Sequence, residues 1–170
     1  SSLHTTSSRS SDRGGRDKPG HDTEEASPSR PRRTPLRQRA DGRAAISVVQ
    51  SGRATRVAHV AEGGSSRLRL PRRIDGLAEA VLIDTAGGVA AGDRFATDIA
   101  VGSGGDLTVT TASAEKIYRS DEETARLATT ITAGSGSRLA WLPQETILFD
   151  GSRLRRRLDV DLATDASAFL

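Results

Sequence analysis

Residues Ile99 to Leu107 read Ile-Ala-Val-Gly-Ser-Gly-Gly-Asp-Leu, and 32 residues later Ile131 to Leu139 read Ile-Thr-Ala-Gly-Ser-Gly-Ser-Arg-Leu. Val160 to Phe169 echoes the pattern once more, with Ala163-Thr164-Asp165-Ala166 where the glycine turn stood. Each copy is an apolar strand, a tight turn and a second strand. A unit of this kind recurring every ~30 residues implies stacked β layers that bury a shared face between neighbours. Gly-Ser-Gly hairpins in an ordinary antiparallel sheet are the other reading. Either way the chain is all-β.

Period-two alternation supports that class elsewhere. Short β-prone runs fall at Ile46–Val49 and Val57–Val60. Ala80-Val81-Leu82-Ile83 is continuous and reads as buried on both faces. Phe95–Val101 and Leu107–Thr110 alternate, as do Leu127, Thr129 and Ile131, and Leu158, Val160 and Leu162. Helical spacing is scarce, with one turn expected at Glu122–Leu127. The predicted architecture is a set of stacked or helically wound antiparallel and mixed strands, a β-helical scaffold with little helix.

Composition divides the chain. Residues 1–40 hold four of the six prolines and nine Lys/Arg against five Asp/Glu, while the remainder holds sixteen against seventeen. The overall charge of +3 therefore belongs to the leading segment. A Ser/Pro/Arg stretch with almost no large apolar residue cannot offset its ordering entropy, so 1–40 is predicted to be a disordered basic tail and 41–170 a β domain. Basic arms bind nucleic-acid backbones, but no aromatic residue interleaves here to stack on bases, and no nucleic-acid partner is expected. No apolar run approaches the ~20 residues that cross a membrane, and no secretory core is present. With zero cysteines there is neither a disulfide frame nor a thiolate metal site. A cytoplasmic protein is expected.

Trp141-Leu142-Pro143-Gln144-Glu145-Thr146-Ile147-Leu148-Phe149-Asp150-Gly151 carries the sole tryptophan and one of three phenylalanines. In a chain only 3% aromatic it is expected where the core is densest, with Ile147–Phe149 as a buried strand and Glu145 and Asp150 at its rims. Gly87-Gly88-Val89-Ala90-Ala91-Gly92-Asp93-Arg94 is a glycine-rich turn that could cradle an anion. It lacks the Gly-Lys-Ser/Thr ending of a phosphate loop and leads into a strand. Glu115-Lys116-Ile117-Tyr118-Arg119-Ser120 contains the sole tyrosine, predicted as a core ring with its hydroxyl at the rim. His59 lies in an alternating strand without an acidic neighbour, and no nucleophile signature accompanies it. Neither catalytic residues nor a tightly bound cofactor are expected. Carboxylates, hydroxyls and a single histidine suit exchangeable metal coordination better than a fixed site.

Thr85–Phe95, Thr110–Ser120 and Trp141–Gly151, preceded by Arg67-Leu68-Arg69-Leu70-Pro71-Arg72-Arg73, resemble in order and spacing the urease accessory proteins UreD (also called UreH). The motif positions are Gly87, Gly88, Gly92, Asp93, Lys116, Tyr118, Arg119, Trp141, Pro143, Gln144, Glu145, Asp150 and Gly151. The resemblance covers about Ala44 to Leu170. It implies an all-β scaffold, not an enzyme, which joins UreF and the GTPase UreG on apo-urease and helps place nickel in its active site. GTP hydrolysis would belong to UreG, and homodimerisation of the complex is a further implication. Nickel(II) would be cargo in an internal polar channel, with Asp93, Glu115, Glu145 and Asp150 as the carboxylates along its path. Ala86 stands where the family usually has proline. Family members continue through a Cys-Leu-Gly-Arg-like segment and further strands, so a shortened chain is expected. The alternative reading is a β-solenoid or β-sandwich binding module without catalytic activity.

Overall fold

In a computed structural model, residues 39–72, 77–121 and 123–170 are described. The expected disordered tail lies almost wholly outside them. Twelve strands are formed among the described residues, and no helix. Two sheets of five strands dominate. In the first, β1 (Asp41–Ser51), β2 (Ala54–Gly64), β5 (Arg94–Val101), β8 (Ala125–Ala133) and β11 (Leu154–Leu162) run in the order β11-β8-β5-β1-β2. In the second, β3 (Ser66–Arg69), β4 (Ala78–Asp84), β6 (Asp106–Thr111), β9 (Arg138–Leu142) and β12 (Ser167–Phe169) run β12-β9-β6-β4-β3. A small third sheet joins β7 (Glu115–Ile117) to β10 (Thr146–Leu148).

The β1–β2 and β3–β4 pairs are antiparallel, and the other pairings are parallel. Parallel neighbours need a crossover, ordinarily a helix. Here the opposite sheet supplies it: the chain alternates β5, β6, β8, β9, β11, β12 between the two sheets. The 32-residue recurrence is the register of that stacking, for Ile99 lies beside Ile131 and Leu107 beside Leu139. The Gly-Ser-Gly turns are therefore corners between sheets and not hairpins within one. Backbone bonds tie each corner to the next, Gly104 N–H to Ser135 O at 2.8 Å and Ser167 N–H to Ser137 O at 3.0 Å. Asp165, which replaces a turn glycine in the third copy, accepts Ser135 Oγ–H at 2.8 Å.

Alternation sends one aliphatic row inward from each sheet. Ile46, Ile99 and Ile131 are 2%, 1% and 0% exposed, and Leu107 and Leu139 oppose them from the second sheet at 0% and 3%. Ala80–Ile83 is not buried on both faces as expected: Ala80 is buried and its three successors only partly. No helical turn forms before Leu127, because Ala125 already begins β8; Glu122 lies outside the described residues.

The expectation of densest packing around Trp141–Gly151 is not met. Trp141 is half-buried against the edge of the core. Ile147, Leu148 and Phe149 are 40%, 62% and 45% exposed. The reason is topological: β10 pairs with short β7 outside the two large sheets. Burial thus predicts opposite outcomes for two aliphatic truncations. Ile131→Ala removes fully buried methyls and should cost about 2–5 kcal/mol, whereas Leu148→Ala should cost about 0.5 kcal/mol or less, both read from urea-unfolding midpoints.

Candidate functional site

At one end of the stack the corners are tight. At the other, longer loops bring together the three segments 85–95, 110–120 and 141–151. Val89 N–H bonds to Lys116 O at 2.8 Å, and Tyr118 N–H returns to Val89 O at 2.8 Å. Glu115 N–H reaches Glu145 O at 2.9 Å, and Ser120 N–H reaches Gly151 O at 3.0 Å. Val89, Ile117, Ala125 and Leu127 form a second apolar cluster beneath them.

Gly88 explains part of the glycine-rich segment. Its φ of 141° is open chiefly to glycine, and a Cβ there would sit 2.5 Å from the Tyr118 ring and 3.1 Å from Lys116 O. Tyr118 is not the core ring expected from sequence. It is 40% exposed, stacks on Phe149 with centroids 5.3 Å apart, and donates its hydroxyl to Gly87 O at 3.3 Å.

The four candidate carboxylates fall in three different settings. Asp93 is 3% exposed, and its two oxygens accept the backbone N–H groups of Ala40 at 2.8 Å and Ala90 at 2.7 Å. It fastens the glycine turn to the chain just before β1. Glu145 and Asp150 are exposed, as are Lys116 and Arg119, the latter paired with Asp121 at 3.0 Å. Glu115 is partly buried and, unlike Asp93, is held by a side chain. It is ion-paired to Arg156 of β11, whose guanidinium also donates to Thr146 Oγ1 at 2.9 Å. Burial lowers the Arg156 pKa from its ordinary value.

Glu115 lines a cavity of about 280 Å³ between the sheets, with Ser66, Thr97, Trp141, Gln144 and Arg156 among its walls. It also lines a neighbouring cavity of about 470 Å³ against Gly87, Gly88 and Lys116. Asp84 and Thr111 also line both, so two carboxylates and a hydroxyl are common to the walls of the two spaces. Asp84 was not singled out from sequence, where it is one polar residue ending an apolar run. Burial raises its carboxyl above the ordinary 3.8; an Ala86 N–H bond opposes this, Asp93 adds to it, and Ser65 opposes it. Among the described residues, no three His, Cys, Asp or Glu side chains are grouped to hold a metal. His59 is exposed on β2.

Two outcomes follow from these settings. Asp93→Asn leaves one acceptor oxygen for two N–H groups and should cost about 1–3 kcal/mol in urea unfolding. Asp84 behaves in the opposite sense. Its raised pKa means that the unfolded chain ionises first as pH rises, so the site costs stability above the folded-state pKa and nothing well below 3.8. Asp84→Asn should therefore raise the melting temperature at neutral pH, with the gain vanishing as pH falls through the carboxylate range.

The model of the family described as UreD urease accessory protein matches residues 40–170. Urease accessory protein UreD 1 of Methylobacterium radiotolerans is 55% identical over 143 residues, covering 83% of this chain and 49% of that protein. UreD of Xanthobacter autotrophicus is 53% identical over 132 residues, 78% of this chain and 45% of that one. UreD of Azorhizobium caulinodans is 52% identical over 134 residues, with shares of 78% and 49%. The chain spans about half the length of these curated relatives. A family match across the whole two-sheet unit, with the three motif segments converging at one end of it, places this chain in the UreD urease accessory protein family.

Proposed function

We propose that this chain acts in urease maturation, as a non-enzymatic scaffold that works with UreF and the GTPase UreG on apo-urease while nickel is delivered. The observation that carries the reading is the family match over residues 40–170, at about half identity to several UreD proteins. The glycine-rich segment supports a division of labour, because it has no phosphate-loop lysine and is spent on close packing against Tyr118.

Nickel enters this proposal as cargo. The wall common to the two cavities is the place for it, with Glu115 and Asp84 as transient oxygen ligands and Thr111 as a further oxygen donor in the same lining. Oxygen donors in small number bind a borderline cation weakly and release it readily, which suits transfer. Glu115 already holds the Arg156 guanidinium. A cation must therefore compete with that guanidinium, and Arg156 keeps the carboxylate from becoming a trap. Asp93 is left out of the path, since its oxygens are taken by Ala40 and Ala90. Glu145 and Asp150 remain at the exposed loop end, as an outer approach.

The test is a chimera in which residues 40–170 replace the matching half of the Methylobacterium radiotolerans UreD 1, expressed with urease and its other accessory proteins in a strain lacking UreD. Urease activity and nickel per urease are expected to be restored. Glu115→Gln and Asp84→Asn should each lower nickel loading several-fold while the chimera still co-purifies with UreF. A folded chimera that neither associates nor restores activity sinks the accessory role. Full loading with both carboxylates replaced sinks the path along Glu115 and Asp84.

A further inference from the structure

The solvent face of the first sheet carries a row of arginines. Arg94 of β5, Arg126 of β8 and Arg155 of β11 are registered side by side on neighbouring parallel strands. Alternation turns Arg94 and Arg126 outward, because Thr97, Ile99, Leu127 and Ile131 hold the opposite parity and are buried. Register carries Arg155 to the same face, and all three are exposed. Neighbouring strands lie ~4.8 Å apart, so three guanidinium groups are crowded along one line. Like charges set side by side in a sheet are destabilising. The next outward row, two residues along, adds Arg43 of β1 and Arg157 of β11, with Ala96 and Ala128 between them.

Acidic groups are few on these two rows. Asp41 lies beside Arg94, and Arg157 contacts Asp159 at 2.6 Å. Among the described residues Arg43, Arg94, Arg126 and Arg155 have no ion pair. An open trough of about 530 Å³ lies over this face, lined by Arg43, Arg94 and Arg126 with Gly63, Ala96 and Ala128. The small residues let a main chain approach the sheet, and guanidinium forks match carboxylates. The basic field is also bounded, for the third outward row holds Asp98 and Asp159 on either side of Thr130. A nucleic-acid duplex or a membrane extends past two rows and would set its phosphates against those carboxylates. Phe95, the aromatic residue of the trough lining, packs against the second apolar cluster and is not turned out to stack on a base.

We propose that this arginine face docks an acidic segment of a partner protein, one in which two or three carboxylates fall close together. An extended peptide presents a carboxylate on one side at every second residue, ~7 Å apart, a spacing that flexible arginine side chains accommodate. Arg94 and Arg126 form the centre of the contact, with Arg43 and Arg155 at its flanks. The two central arginines stand on interior strands of the sheet, so their solvent face does not depend on what lies beyond β11. Exposed charge pairs add little affinity apiece, so the contact is salt-sensitive and sets orientation and rate of approach. Docked carboxylates also relieve the repulsion along the row. This inference is independent of the nickel path.

The probe is a labelled decaglutamate peptide, titrated with the 170-residue chain at low salt and read by fluorescence anisotropy. Binding should saturate and should weaken as salt rises. Arg94→Gln/Arg126→Gln should weaken it about tenfold, because both charge-assisted partners are lost. Two control pairs remove the same charge elsewhere: Arg53→Gln/Arg56→Gln at the β1–β2 turn and Arg32→Gln/Arg33→Gln in the leading basic stretch. Each should change binding by less than about twofold. Without peptide, the Arg94→Gln/Arg126→Gln chain should unfold at a higher urea concentration than the native chain. Decaglutamate should raise the native midpoint and leave that variant's unchanged. Tripolyphosphate and a ten-nucleotide oligothymidylate should bind more weakly than the peptide. The chimera carrying the second half of the Methylobacterium radiotolerans UreD 1 should bind decaglutamate as this chain does. Equal weakening by a control pair, tighter binding of either phosphate probe, a lower urea midpoint in the Arg94→Gln/Arg126→Gln chain, or loss of binding in a folded chimera would overturn the proposal.

Discussion

The molecule depends on side-by-side registration of like residues in parallel strands. Ile46, Ile99, Ile131 and Val160 occupy one row of the first sheet, and Ala78, Leu107, Leu139 and Ala168 one row of the second. Parallel sheets are normally covered by helices, which this chain lacks among its described residues. Each sheet instead covers the other, and the rows supply the apolar matter between them. Corners and loops are then confined to the two ends, where backbone conformation and buried polar groups decide the structure.

The two ends are built differently. The corners after β5, β8 and β11 are short and repeat the same backbone bonds, so they contribute regularity. The other end gathers Val89, Ile117 and Leu127 under a mesh of backbone bonds, with Asp93 as a buried fastener and Gly88 letting the chain pass Tyr118. That irregularity leaves space: two cavities share Asp84, Thr111 and Glu115 in their linings. The candidate site lies where the repeat is broken.

Much of this was legible in the chain. Alternation located most strands, and the echo of Ile99–Leu107 in Ile131–Leu139 anticipated the stacking distance. Sequence periodicity is local, however, and says nothing of which sheet a strand joins; the Gly-Ser-Gly turns fit corners and hairpins equally. Phe149 and Leu148 misled for a related reason, since apolar character marks a preference for burial and not the presence of a covering sheet. At the site, Glu115 was recognised because it sits in a distinctive motif. Asp84 was missed because its place in the cavity linings with Thr111 and Glu115 depends on which strands lie side by side. Asp93 was noticed, but its commitment to Ala40, 53 residues away, needed coordinates.

The alternation of strands between sheets has a bearing on how the protein comes into being. After β5 each strand finds its partner in the turn of chain just completed, roughly thirty residues behind it. Such nearest-neighbour order resembles that of repeat proteins, whose folding propagates from a nucleus. On the ribosome, the antiparallel pairs β1–β2 and β3–β4 emerge first and present ready edges. Every later circuit can then be laid onto a finished template as it leaves the exit tunnel, an order of assembly that the strand pairing permits.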